Sequence, residues 1–221
     1  MKNNKAYGPD EIPAEVWKSL GDTGEAFLLR LFNIILTTGQ MPEEWRRSLI
    51  TPFYKNKGDV LECLNYRGIK LLCHTFKVWE RILDTRLRQI ITPHESHLGF
   101  MPGKGTTDAI FMLRQTMEKY REGQKSLNIV FIDLEKAYDR VPREEIWRSL
   151  RRKGVPEHMV QCIIDMYKNS TTCVQSAAGR TDSFEVKVGL HQGSVLSPFM
   201  FVILMDVLTE DVQMEVPWMI I

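Results

Sequence analysis

Two spacings of apolar residues run along the chain. Over residues 23–38, Phe27, Leu28, Leu31, Phe32, Ile35 and Leu36 recur at helical intervals and Gly39 follows, which predicts an amphipathic helix stopped by a glycine. Residues 75–91 repeat the pattern. Phe76, Val78, Trp79, Ile82, Leu83, Leu87 and Ile90 make one broad face, Lys77, Arg81, Arg86 and Arg88 lie on others, and Pro93 ends the helix. That basic face is either simply solvated or tracks a phosphate backbone. Further helices are predicted over 107–121, with Ile110, Leu113, Met117 and Tyr120 inward, over 143–153, over 160–167, and from Pro198 to about Val212. The 143–153 helix buries Ile146, Trp147 and Leu150 and ends in Arg148, Arg151, Arg152 and Lys153, cations that complement the helix dipole. Pro13 suits a first helical position, with Val16, Trp17 and Leu20 as the apolar side of the helix it opens, and a shorter helix starts at Met41–Trp45. Leu49–Tyr54 reads as a strand, and Thr172–Ser176 and Phe184–Val188 as a hairpin around 177–183.

One apolar stretch is continuous rather than periodic. Ile129, Val130, Phe131 and Ile132 follow a helix-ending Gly123 and predict a short strand buried on both faces. Asp133 stands where the run stops. A carboxylate there is either a metal ligand aimed from a rigid element into a crevice or a cap for the next turn. Five residues on, Tyr138 reaches back towards the same crevice as a flat apolar wall. The whole pattern predicts an α+β fold, with helices packed on short antiparallel strands.

Composition narrows the function classes. The 221 residues are 43% hydrophobic and 26% charged, with 29 basic against 28 acidic side chains, a net charge of +1. Binding to nucleic acid therefore needs local basic clusters rather than overall charge. The opening Met-Lys-Asn-Asn-Lys lacks an apolar run, and the longest apolar stretch, 199–208, is broken by Asp206 and is too short to span a bilayer. These features predict an intracellular protein of nucleus or cytoplasm, without membrane contact. Cys63, Cys73, Cys162 and Cys173 lack zinc-site spacing and read as reduced thiols.

Candidate chemistry sits in the loops. Lys55-Asn56-Lys57-Gly58-Asp59 follows a strand and precedes Asn65-Tyr66-Arg67, so its lysines are either a solvated hairpin tip or a phosphate grip. Residues 98–110, Leu-Gly-Phe-Met-Pro-Gly-Lys-Gly-Thr-Thr-Asp-Ala-Ile, form a glycine-rich loop entering a helix, without P-loop spacing. Gln192-Gly193-Ser194-Val195-Leu196-Ser197-Pro198 is either a plain turn capping a buried helix or a backbone that approaches a ligand closely. His191 alone has nothing nearby to make it a general base.

Taken together, these segments resemble reverse transcriptases of the non-LTR (LINE-type, RTE-like) retrotransposons. Phe131-Ile-Asp-Leu-Glu-Lys-Ala-Tyr-Asp-Arg-Val-Pro142 resembles that family's motif A, Gln192–Pro198 its motif B, and the 55–72 region its motif 2. Gly99–Thr106 resembles the family's glycine-rich fingers loop. Gly8–Pro13 resembles its Gly-Pro-Asp-Gly-Ile-Pro opening, with Glu11 where Gly is expected; a positive φ there would strain a glutamate. Chance explains one such motif easily but not five in the family's order. The resemblance implies a right-hand polymerase, with fingers over 1–126 and a partial palm over 127–221. It implies Mg²⁺ at Asp133 and the backbone carbonyl of Leu134, and a dNTP held by Lys55 or Lys57, Arg67, Tyr138, Gln192 and Gly193. It also implies an RNA template and DNA primer passing Gly103, Lys104 and Gly105. No protein partner is implied.

The family's motif C, a Tyr/Phe-Ala-Asp-Asp hairpin, has no counterpart here: the sequence contains no Asp-Asp pair, and residues 216–221 fall about where its first strand is expected. Two Mg²⁺ ions need more than one carboxylate. The expectation is a reverse transcriptase fragment that does not polymerise alone. The rival reading is a non-catalytic remnant that at most binds nucleic acid, and a scaffold without nucleic-acid role has only the near-neutral charge in its favour.

Overall fold

The computed structural model describes residues 3–213. Residues 216–221, where the first strand of motif C is expected, lie outside the described residues. In chain order the elements are α1 (Ala14–Ser19), α2 (Gly21–Thr38), a 3₁₀ turn (Glu43–Arg46), β1 (Arg47–Tyr54), a 3₁₀ turn (Cys63–Asn65), β2 (Tyr66–Leu71) and α3 (His74–Ile90). Then come α4 (Thr106–Glu122), α5 (Ala137–Arg140), α6 (Arg143–Arg152), α7 (Glu157–Tyr167), β3 (Thr171–Ser176), β4 (Gly179–Arg180), β5 (Phe184–Glu185), α8 (Ser197–Leu208) and a 3₁₀ turn (Glu210–Val212). Gly39 ends α2 in the left-handed region, φ 69°, and its N–H donates to the Ile35 carbonyl. Glu11 does adopt a positive φ, 54°, the conformation in which glycine is unstrained and glutamate is not.

The sheet is mixed rather than purely antiparallel. β1 pairs antiparallel with β2, from Leu49–Leu71 to Tyr54–Tyr66, and parallel with β3, from Arg47–Thr171 to Ile50–Val174. β4 and β5 pair antiparallel with β3. A parallel neighbour needs a long crossover, and the chain between β1 and β3 is mostly helical, so no local sequence signal announces the pairing.

One hydrophobic core draws on both sides of residue 126. Phe32, Trp45, Phe76, Trp79, Leu83 and Leu87 join Ile146, Leu150, Ile163, Phe199, Met200 and Ile203 in a single cluster. Trp79 packs on Phe32 with ring centroids 5.6 Å apart, and Trp45 on Phe76 at 5.4 Å. Each such side chain contributes roughly 1.5–3 kcal/mol on burial. α3 contributes a stripe of Phe76, Trp79, Leu83 and Leu87 that is wholly buried. All four cysteines are unbridged. Among the described residues no helix is long and apolar enough to cross a membrane.

Three expectations are corrected. Residues 128–132 do not form a strand, and Val130, Phe131 and Ile132 are about 80% exposed rather than buried. A strand buried on both faces needs neighbours, and no strand among the described residues pairs with it. Helix α4 forms, but Ile110, Met117 and Tyr120 are exposed and none of its residues is buried. Phe27 of α2 and Ile90 of α3 are also exposed, because the core touches narrower stripes of those helices than the periodicity suggests.

Candidate active site

The site is organised by the segment 189–194, which straps across the molecule from α5 to β2. At one end the Leu190 N–H donates to the Tyr138 carbonyl at 2.7 Å and the Gly189 N–H to the Val141 carbonyl at 3.0 Å. At the other, the Lys70 N–H donates to the Gln192 carbonyl at 3.1 Å. Both contacts need glycine. Gly189 has φ 80°, and a Cβ there would lie 2.6 Å from the Asp139 carbonyl oxygen; Gly193 has φ 99°, and its Cβ would lie 2.9 Å from the Lys70 carbonyl oxygen. Arg143, at the start of α6, secures the approach to the strap. Its guanidinium donates to the carbonyls of Gly189 at 3.0 Å, Val186 at 2.8 Å and Tyr167 at 3.2 Å.

Of the predicted residues, the strap ties Gln192 to the short helix that carries Tyr138, while Gly193 lies against Lys70 of β2. The Gln192 side-chain amide donates to Asp139 Oδ1 at 2.7 Å, one residue beyond Tyr138. The Tyr138 ring stacks on Phe201 of α8 at 5.0 Å and meets Phe100 edge-on at 6.2 Å. Burial pushes the Tyr138 phenol up to about 12, so it stays neutral. Phe100 belongs to the glycine-rich loop and has φ 58°, so that loop reaches the Tyr138 wall through a residue in an unfavourable conformation. In the same loop Gly103 has φ 74°, the Lys104 ammonium donates to the Glu95 carbonyl at 2.7 Å, and the Gly105 N–H donates to Asp108 Oδ2 at 2.7 Å.

Arg67 lies exposed on β2, three residues before Lys70 and so roughly 10 Å along the strand from the strap. Lys55 and Lys57 sit at the exposed β1–β2 tip, where the Lys55 ammonium already donates to the Leu64 carbonyl at 2.8 Å. Asp133 does not stand at a strand end. It lies exposed in the loop before α5, and so does Leu134. Among the described residues no group of three or more His, Cys, Asp and Glu side chains gathers to hold a metal ion. A pair of Mg²⁺ ions needs several oxygen ligands each, so these residues alone do not fit a two-ion site.

Beneath the strap lies a buried polar layer. Lys70 is 6% exposed, and burial together with the nearby Arg143 charge lowers its ammonium to about 7. Glu80 of α3 is fully buried, and burial raises its carboxyl to about 7 against the pull of its hydrogen bonds. Burial, aided by Lys70 and Arg143, holds His191 neutral, well below the usual imidazole range. Sequence reasoning missed Asp139 and Phe100 as members of the site because both contacts are non-local. It could have flagged Glu80, a carboxylate inside the Phe76–Trp79–Leu83–Leu87 stripe.

Residues 54–219 match the family model described as reverse transcriptase (RNA-dependent DNA polymerase). Among similar curated proteins, a retrovirus-related Pol polyprotein from the type-1 retrotransposable element R2 of Popillia japonica is 30% identical over 77% of this chain and 24% of its own length. The RNA-directed DNA polymerase from mobile element jockey of Drosophila melanogaster is 25% identical over 89% of this chain and 22% of its own length. A probable RNA-directed DNA polymerase from transposon X-element of the same fly is 26% identical over 91% and 22%. The chain thus spans about a quarter of the length of the curated relatives it matches, or less. It belongs to the reverse transcriptase family, as part of a reverse transcriptase domain of the non-LTR retrotransposon kind.

Proposed function

We propose that this chain supplies the nucleotide and template floor of an RNA-directed DNA polymerase, with fingers over 1–126 and part of the palm over 127–221. The observation that carries the reading is the strap, which ties Gln192 to Asp139 beside Tyr138, whose ring meets Phe100 of the glycine-rich loop. In this reading Tyr138, braced by Phe201, is the flat wall under the sugar of the incoming dNTP. Gln192 and Gly193 meet the base pair, the amide offering both a donor and an acceptor. Arg67 grips phosphate oxygens with its planar fork. Lys57 is favoured over Lys55 as the second phosphate contact, because the Lys55 ammonium is engaged by its own tip. Gly103, Lys104 and Gly105 face the template strand, with the DNA primer beyond. Asp133 and the Leu134 carbonyl are this chain's contribution to a Mg²⁺ site that needs ligands from elsewhere.

Binding to an RNA–DNA primer–template tests this reading. Each neutralised phosphate releases counterions, so with two contacts the affinity is expected to fall about 12-fold between roughly 50 and 200 mM salt. Arg67→Ala and Lys57→Ala should each lower the salt slope by about one phosphate, while Lys55→Ala and Lys104→Ala, whose ammonium groups already donate to backbone carbonyls, change it little. Affinity that stays constant across that salt range would remove the basic groups as the binding surface.

A further inference from the structure

Beyond the motif residues, one buried side chain has a job that neither the core nor the proposed chemistry explains. Glu80 occupies a position in the fully buried stripe of α3 where an apolar residue would pack without penalty. A buried carboxylate is costly unless it is well satisfied, and replacing one with an apolar side chain is often neutral or stabilising. Stability alone therefore gives no reason for a glutamate here. Its two oxygens face the end of the strap. Oε1 accepts from the Ser194 hydroxyl and Oε2 accepts from the Val195 N–H at 3.1 Å. Ser194 Oγ in turn accepts from the Leu196 N–H at 3.1 Å and the Ser197 N–H at 3.2 Å, at the start of α8. With its proton pointed at Glu80 and both lone pairs on α8, the Ser194 hydroxyl has no freedom left.

We infer that Glu80 is the positioning residue of the Gln192–Gly193 strap, gripping it from α3 through the Ser194 hydroxyl and the Val195 amide. The strap then has four anchors: α6 through Arg143 at Gly189, α5 at Leu190, β2 at Gln192, and α3 at Ser194 and Val195. The grip from α3 fixes the register of the others. Gly193 lies against the Lys70 carbonyl at a separation that leaves no room for a shift, and the Gln192 amide reaches Asp139 only while the strap keeps that register. The functional half of this inference rests on the reading of the strap as the nucleotide floor.

Hydrogen exchange on the whole 221-residue chain tests the grip, residue by residue. Glu80→Ala should speed exchange of the Lys70, Val195, Leu196 and Ser197 amides about tenfold or more, the loss of roughly one buried hydrogen bond at each. The mid-helix amides of α6 and α7 should hold their wild-type rates. Ser194→Ala should reproduce the effect on Leu196 and Ser197. Glu80→Gln keeps an acceptor for Ser194 and should restore near-wild-type rates everywhere except at Val195. The side-chain amide signal of Gln192 adds a signature that simple destabilisation does not produce. It should move towards a free-amide position in Glu80→Ala and stay in place in Glu80→Gln. Unchanged strap amides in Glu80→Ala, or acceleration spread equally over α3, α6 and α7, would overturn the inference. Titration of Mg²⁺·dNTP against the same Gln192 signal separates the two claims. A wild-type signal that ignores nucleotide removes the nucleotide-floor reading and leaves the grip standing on the exchange data.

Discussion

Asp165→Ala is expected to cost the fold about 3–5 kcal/mol, the loss that follows when one partner of a buried ion pair is removed. Arg46 ends the 3₁₀ turn before β1, and its side chain is 8% exposed against 11% for Asp165 of α7. The pair is forked, with Arg46 Nη2 donating to both carboxylate oxygens of Asp165 at 3.0 and 3.1 Å. The same carboxylate accepts from the Met41 N–H at 2.8 Å. Removing it leaves a buried cation and a buried amide short of partners, next to the point where β1 begins its parallel pairing with β3. Arg46 keeps the exposed Glu43 carboxylate and two carbonyls, of Asp165 and Lys168. Asp165→Asn keeps a neutral acceptor and should lose roughly half as much. Urea unfolding of the two variants against the wild type reads both values.

The second large effect is a dependence on pH that two variants expose. For Glu80 the folded carboxyl lies at about 7, against 4.5 for a glutamate free in water. A raised value means stability present below pH 4.5 and lost as pH rises through 7, about 3 kcal/mol over that window at about 1.4 kcal/mol per pH unit. Lys70 runs the other way. Its folded value of about 7 against 10.5 means stability present above pH 10.5 and lost as pH falls through 7, about 5 kcal/mol in all. His191, held neutral by burial, likewise loses stability as pH falls below the usual imidazole range, and Arg143 stays charged throughout. Because these contributions overlap, the differences between variants carry the signal. Glu80→Gln should gain on the wild type by about 3 kcal/mol between pH 4.5 and 7. Lys70→Met should lose ground to it by about 5 kcal/mol between pH 7 and 10.5. Parallel stability curves for wild type and variants would show that neither group titrates in a buried setting.

The sequence made some of this legible because the signals are local. Helical spacing and Gly39 place α2, the apolar stripe and Pro93 bound α3, and a family glycine replaced by Glu11 marks a strained turn that the structure contains. What failed needed partners distant in sequence. The apolar run 129–132 looks like a buried strand only if strands flank it, and among the described residues none does. Helix α4 has an apolar face, but none of the described elements buries it. β1 finds β3 across more than a hundred residues, a pairing that alternation cannot encode. In the site, Tyr138, Gln192 and Gly193 are legible from motif resemblance. Asp139, Phe100 and the Glu80–Ser194 grip depend on loops that only the packed core brings together.

The central claim is that these residues form the floor of a polymerase site and supply Asp133 as only one of the carboxylates that two Mg²⁺ ions require. Primer extension by the purified 221-residue chain, on an RNA template with all four dNTPs, in Mg²⁺ and then in Mn²⁺, tests it most directly. The account predicts no extended product in either metal. Extension that disappears in Asp133→Ala would contradict it, because the chain would then be assembling a complete metal site from ligands this account leaves out.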